Sequence, residues 1–132
     1  MRASVDAILV VREGGDRLRH TLRAVAAQSR PVNRVVIANT SADSTLSAQI
    51  ETALQGLSLK TEILDLAYTM AWPEIVDQSM AHVFPGGDDI PESSWVWLLR
   101  DDVTPHPTAL ELLALSVESA PMVKIVGPKQ RV

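Results

Sequence analysis

Two spacings of apolar residues alternate along this chain. Continuous apolar runs occur at 5–11 (VDAILVV), 35–38 (VVIA), 61–66 (TEILDL), 95–99 (WVWLL) and 123–126 (VKIV). Each is short and rich in branched or aromatic residues, so each reads as a strand, the first two buried on both faces. Between the runs, apolar residues recur at helical spacing. Leu18, Leu22, Val25 and Ala26 make one stripe, and Leu46, Ile50, Leu54 and Leu57 a second. Ile75, Val76, Met80 and Val83 make a third, and Leu110, Leu113 and Val117 a fourth, over about residues 107–120. Such stripes mark helices with one buried side.

The breaks between these segments have their own chemistry. Arg12-Glu13-Gly14-Gly15 ends the first strand in a turn. Asp16 is then expected to cap the first helix, its carboxylate accepting from free backbone N–H groups. Pro31 closes that unit, and Trp72-Pro73 opens the third helix, where proline is tolerated in the first turn. Residues 85–91 (PGGDDIP) read as a surface loop. Strands alternating with helices require right-handed crossovers and a mainly parallel sheet. The prediction is one doubly wound, Rossmann-like α/β domain over residues 1–132, with about five strands and helices on both faces.

Composition narrows the class. Of the 132 residues, 46% are hydrophobic and 21% charged, the mixture of a packed core rather than a disordered segment. A net charge of −4 with no basic block argues against electrostatic capture of nucleic acid or an anionic membrane surface. The absence of cysteine excludes disulfides and thiolate metal sites. No apolar run approaches the roughly 20 residues of a membrane helix, and no signal-peptide pattern opens the chain. A cytoplasmic location is expected, at the inner membrane face if a longer parent chain carries a membrane segment.

Ligands of open parallel sheets bind at the carboxyl ends of the strands, where strand order reverses. Three polar loops leave such ends: Arg12 to Gly15, Asn39 to Asp43, and Arg100-Asp101-Asp102. Two adjacent carboxylates after a buried strand repel each other and are costly to desolvate, so they call for a cation or abundant water. Magnesium or manganese suits such oxygens and leaves places for substrate phosphates. The plain alternative is a solvated turn with an aspartate capping the next helix. Asn39, Thr40, Ser41 and Asp43 can bond a base or ribose, and equally well make a turn. Arg12 and Glu13 fit a nucleotide contact or a solvated pair. Gly14-Gly15 lacks dinucleotide spacing, and no Walker or nucleophile-elbow pattern occurs. His20, His82 and His106 have no metal-ligand spacing. Trp95 and Trp97 share one strand face, where packing is the expected role.

In this light the chain resembles the family 2 glycosyltransferases of the A-type fold, in particular the actinobacterial members that begin large cell-envelope transferases. The resemblance is carried by VDAILVVREGGDRLRHTLRAVAAQSRPVNRVVIANTSADST, SSWVWLLRDDVTPHPTALELLALSVESAP and KIVGPKQ. Gln28 and Pro31 after the first helix, and a tryptophan-rich strand running into Asp-Asp, are characteristic. The resemblance implies a nucleotide-diphosphate sugar donor, a UDP-sugar above all, and a divalent ion, manganese or magnesium. It places Arg12 and Glu13 in the nucleoside pocket, Asn39 and Asp43 in the base-contacting loop, Asp102 on the metal, and Asp101 on the metal or ribose. Arg100 stands where the metal motif has its first acid; a fixed positive charge there repels a metal or pairs directly with diphosphate. Asn39 is neutral where an acid is usual, and Trp72 replaces a small-residue pattern.

The resemblance also implies an acceptor half, with a carboxylate base, beyond the metal motif. The expectation is therefore a donor-binding N-terminal part, with no catalytic residue of its own, that serves transfer to a glycan or lipid-linked acceptor in cell-envelope polysaccharide synthesis. The competing reading is a catalytically degenerate nucleotide-binding or interaction module, in which exposed apolar surface would allow a homodimer.

Overall fold

The computed structural model describes residues 3–41, 45–86, 93–120, 122 and 125–127. Its elements run β1 (Ser4–Val11), α1 (Asp16–Ala26), β2 (Val35–Asn39), α2 (Leu46–Leu54), β3 (Thr61–Asp65), α3 (Trp72–Val83), β4 (Ser94–Arg100) and α4 (Ala109–Ser119). The four strands form one parallel sheet in the order β3-β2-β1-β4. The α/β, doubly wound class is as the alternating pattern predicts, with four strands rather than five. Of the expected fifth strand, Val123 and Lys124 lie outside the described residues. Ile125 and Val126 carry no strand, and Ile125 is 90% exposed. An apolar run becomes a strand only when a neighbouring ladder pairs it.

Strand pleating divides the core in two. Ala7, Leu9 and Val11 of β1, with Val35, Ile37 and Leu99, face α1 and α2 and pack on Leu18, Leu22, Val25, Leu46 and Ile50. Ile8 and Val10, with Val36 and Ala38, face the other way onto Ile75 and Val83 of α3. The chain moves from β1 to β2 to β3 in one direction, then crosses back over both to place β4 on the far side of β1. Right-handed crossovers then require α3 on the face opposite α1 and α2. The winding reverses between β1 and β4, which makes their carboxyl ends the switch point of the sheet.

Two polar clamps hold α4. Gln28, buried at the end of α1, donates from Nε2 to the carbonyls of Ala24 (3.0 Å) and His106 (2.8 Å). Its Oε1 accepts the Leu110 N–H at 3.0 Å, so it serves an otherwise free amide in the first turn of α4. Arg30 makes a two-pronged pair with Glu118, 2.8 and 2.9 Å, and also donates to the Ala3 carbonyl at 2.7 Å. The Ala3 N–H returns a bond to Glu118 at 2.6 Å. These bonds, the Arg30 hydrogen bond first, hold the Glu118 carboxyl down at about 2.

Candidate functional site at the switch point

The chain leaves β1 at Val11, whose carbonyl accepts from both the N–H and the hydroxyl of Thr40 (2.9 and 3.1 Å). The next three residues turn across the carboxyl end of β4. Their amides, those of Arg12, Glu13 and Gly14, all donate to Oδ2 of Asp101, at 3.0, 3.1 and 3.0 Å. The Asp101 N–H itself extends the ladder by donating to the Val10 carbonyl at 3.1 Å. One carboxylate thus satisfies three successive amides that would otherwise lack partners, and the concave run of N–H groups offsets its charge. Buried Thr21 of α1 fixes the other side of this corner, its hydroxyl donating to the Val103 carbonyl with the Asp101 carbonyl within 3.3 Å.

This arrangement corrects the expected cap. The N-cap of α1 is Gly15, with no side-chain cap bond, and Asp16 lies in the first helical turn. The carboxylate serving the amides ahead of the helix is Asp101, from across the sheet. Gly14 and Gly15 have φ of +70° and +77°, a region costly for residues with a Cβ. At Gly14 a Cβ would also lie 2.2 Å from the Leu46 side chain of α2. Only a glycine there lets the turn lie this close to the core.

Around this turn lies an open pocket of about 160 Å³, lined by Val10, Arg12, Glu13, Gly14, Arg17, Trp72 and the three residues Arg100, Asp101 and Asp102. Arg12 crosses it, donating from Nη2 to the Met70 carbonyl at 3.1 Å with its guanidinium 6.0 Å from the Tyr68 ring centre. Arg100 and Asp102 form an exposed ion pair at 3.2 Å. The guanidinium of Arg17, in the first turn of α1, has no hydrogen-bond or ion-pair partner among the described residues. Trp72 opens α3 and forms one wall.

Of the residues expected at a site, Arg12, Glu13, Arg100, Asp101 and Asp102 therefore come together. Asn39 lies on the same rim, level with Val11 one strand away, about 10 Å across the sheet from β4. Its amide is committed internally: Nδ2 donates to Asp65 (3.1 Å) and reaches Ser47 (3.4 Å), and Oδ1 accepts the Ser41 N–H (3.2 Å). That last bond is an Asx turn. Asp43 lies outside the described residues, as do Asp88 and Asp89. Gly14 belongs to the expected 12–15 loop, whereas Arg17 was not foreseen as a pocket residue. Arg17 gives no sequence signal beyond its place in the first turn of α1.

The fit to a divalent ion can be tested on these contacts. One oxygen of Asp101 already accepts three bonds, and Asp102 is paired with Arg100. No group of three or more acid or histidine side chains able to hold a metal occurs among the described residues. The protein oxygens left for a hard cation are thus one on Asp101 and one on Asp102, beside the Arg100 guanidinium, a poor ligand set for an ion that takes several oxygens. At the opposite end of the sheet, Arg34 joins Asp6 (3.6 Å), Glu62 (3.3 Å) and the Val83 carbonyl (2.7 Å), and His82 bonds Glu62 at 2.7 Å. Burial raises the Asp6 carboxyl against the pull of Arg34, and the His82 bond lowers that of Glu62. This cluster ties β1, β2, β3 and α3 together, far from the rim.

A four-stranded parallel sheet with its pocket at the switch point defines a Rossmann-like α/β domain. No family model matches the chain, and no curated protein matches it. Among solved structures it is similar to the crystal structure of S. aureus TarS, with a TM-score of 0.59 at 20% identity over 88% of this chain. The chain spans 20% of the length of TarS. At that identity the likeness is one of fold, an α/β domain with a parallel sheet. Among the described residues, no helix is long and apolar enough to cross a membrane.

Proposed function

We propose that this domain binds the donor of a family 2-type glycosyltransferase, a nucleotide-diphosphate sugar, at the rim between β1 and β4. A glycan or lipid-linked acceptor of the cell envelope would receive the sugar, with the acceptor surface and base supplied from outside the pocket. The observation that carries this reading is the convergence of Arg12, Glu13, Arg17, Trp72, Arg100, Asp101 and Asp102 on one switch-point pocket. The fold likeness to TarS supports it. At about 160 Å³ the pocket is smaller than the roughly 300–1,000 Å³ that encloses a whole small ligand. It therefore matches part of a donor, with the remainder lying along the rim toward Asn39.

Within the pocket Asp101 is held by amides and Asp102 by Arg100, so neither is free to deprotonate an acceptor hydroxyl. That feature favours a second reading, a module that holds nucleotide without transferring sugar. Titrating the labelled chain with UDP-glucose, followed by amide NMR shifts, tests donor binding. Shifts are expected at residues 12–17, 72 and 100–102. Absence of shifts there, or shifts confined to the Arg34 end of the sheet, would reject the site. Sugar transfer by the chain alone would reject the second reading.

A further inference from the structure

We infer that this pocket takes the diphosphate of its ligand with arginine side chains and no divalent ion, an inference that rests on the donor-site reading. Each acid that would hold a metal already has one oxygen engaged, Oδ2 in both. Asp101 sits in the cradle of three amides, and Asp102 is bound to the guanidinium that occupies the approach to it. The cations of the pocket keep donors to give. The Arg17 side chain has no partner among the described residues. Arg100, 67% exposed, engages Asp102 through Nη2, and Arg12 engages Met70 through Nη2. A guanidinium has five N–H donors in a planar fork that matches phosphate oxygens. Three such groups around one pocket supply the charge that a metal would otherwise bring to a diphosphate.

The two ways of holding diphosphate respond oppositely to the same perturbations. The test is calorimetric titration of the 132-residue chain with uridine diphosphate, in manganese chloride and in EDTA. Arginine binding predicts the same affinity in both, falling as sodium chloride rises. Arg17→Ala and Arg100→Ala, both at exposed positions, are expected to weaken binding about tenfold each, the loss of a charge-assisted contact. Asp102→Asn removes a negative charge beside an incoming anion, so it is expected to tighten binding a few-fold, whereas it would abolish binding through a metal. An affinity at least tenfold lower in EDTA that manganese restores, or loss of binding in Asp102→Asn, overturns the inference and leaves the donor site standing. Absence of binding by uridine, adenosine and guanosine diphosphates under both conditions overturns the donor site itself.

Discussion

Adjacent carboxylates at 101 and 102 should differ sharply in what they contribute to stability. Asp101→Ala removes an acceptor from three amides at 3.0–3.1 Å. A hydrogen bond to a charged group contributes about 1.5–3 kcal/mol when buried. Asp101 is only half-buried, the three bonds share one oxygen, and water can replace part of the loss. Taking about 1 kcal/mol for each bond gives roughly 2–3 kcal/mol in total. For a chain of this size that lowers Tm by roughly 6–15 °C. Asp102→Ala loses only an exposed ion pair with Arg100, worth about 0.5 kcal/mol or less. Asp101→Asn keeps an oxygen acceptor without the charge and should fall between the two. Urea unfolding of the three variants measures the differences, and hydrogen exchange at residues 12–14 locates them. If Asp101→Ala and Asp102→Ala lie within about 0.5 kcal/mol of each other, the three-amide cradle does not exist in solution.

Three further outcomes follow from contacts elsewhere. Gln28→Ala should cost about 2–3 kcal/mol, since three bonds of a buried side chain are lost, with amide protection falling around 106–112; unchanged exchange there would show that α4 is held without this clamp. Ser79, fully buried on α3, has a hydroxyl with no partner among the described residues. Ser79→Ala should therefore raise stability by about 0.5–1 kcal/mol in thermal unfolding, and a loss would mean the hydroxyl is bonded. The Glu118 carboxyl is held at about 2 in the folded chain, below its unfolded value near 4.5. Its contribution is complete above the unfolded value and is lost as pH falls from about 4.5 toward 2. Glu118→Gln should flatten that part of the Tm–pH curve, and parallel curves for the two proteins would contradict the pairing.

Most of the architecture was legible in the sequence because buried strands leave continuous apolar runs and half-buried helices leave stripes. Lone runs are a weaker signal: VKIV at 123–126 has the composition of a strand, yet composition does not say whether a ladder is waiting for it. The site was legible only by class. That polar loops at 12–15 and 100–102 share a rim follows from parallel topology. That Asp101 faces backbone amides nearly ninety positions upstream follows from no local pattern, because an aspartate after a strand looks the same whether it meets a cation, water or N–H groups. Gln28 stood out as characteristic, but its role depends on the 106–110 segment folding back to it. The turn-forming chemistry of Asn39 was readable from residue type; its commitment to Asp65 was not. Arg17 escaped notice because a first-turn arginine is ordinary on any exposed helix.

The strand order also dictates when the pocket comes into being. Residues 4–65 hold β1, β2 and β3 side by side and can pair as soon as they are synthesised. β4 is the last strand to join, laid along the remaining edge of β1. Until residue 101 has emerged from the ribosome, the amides at 12–14 lack the carboxylate that ties their turn to β4. In a nascent chain arrested just short of that residue, the amides at 12–14 should therefore exchange freely with solvent.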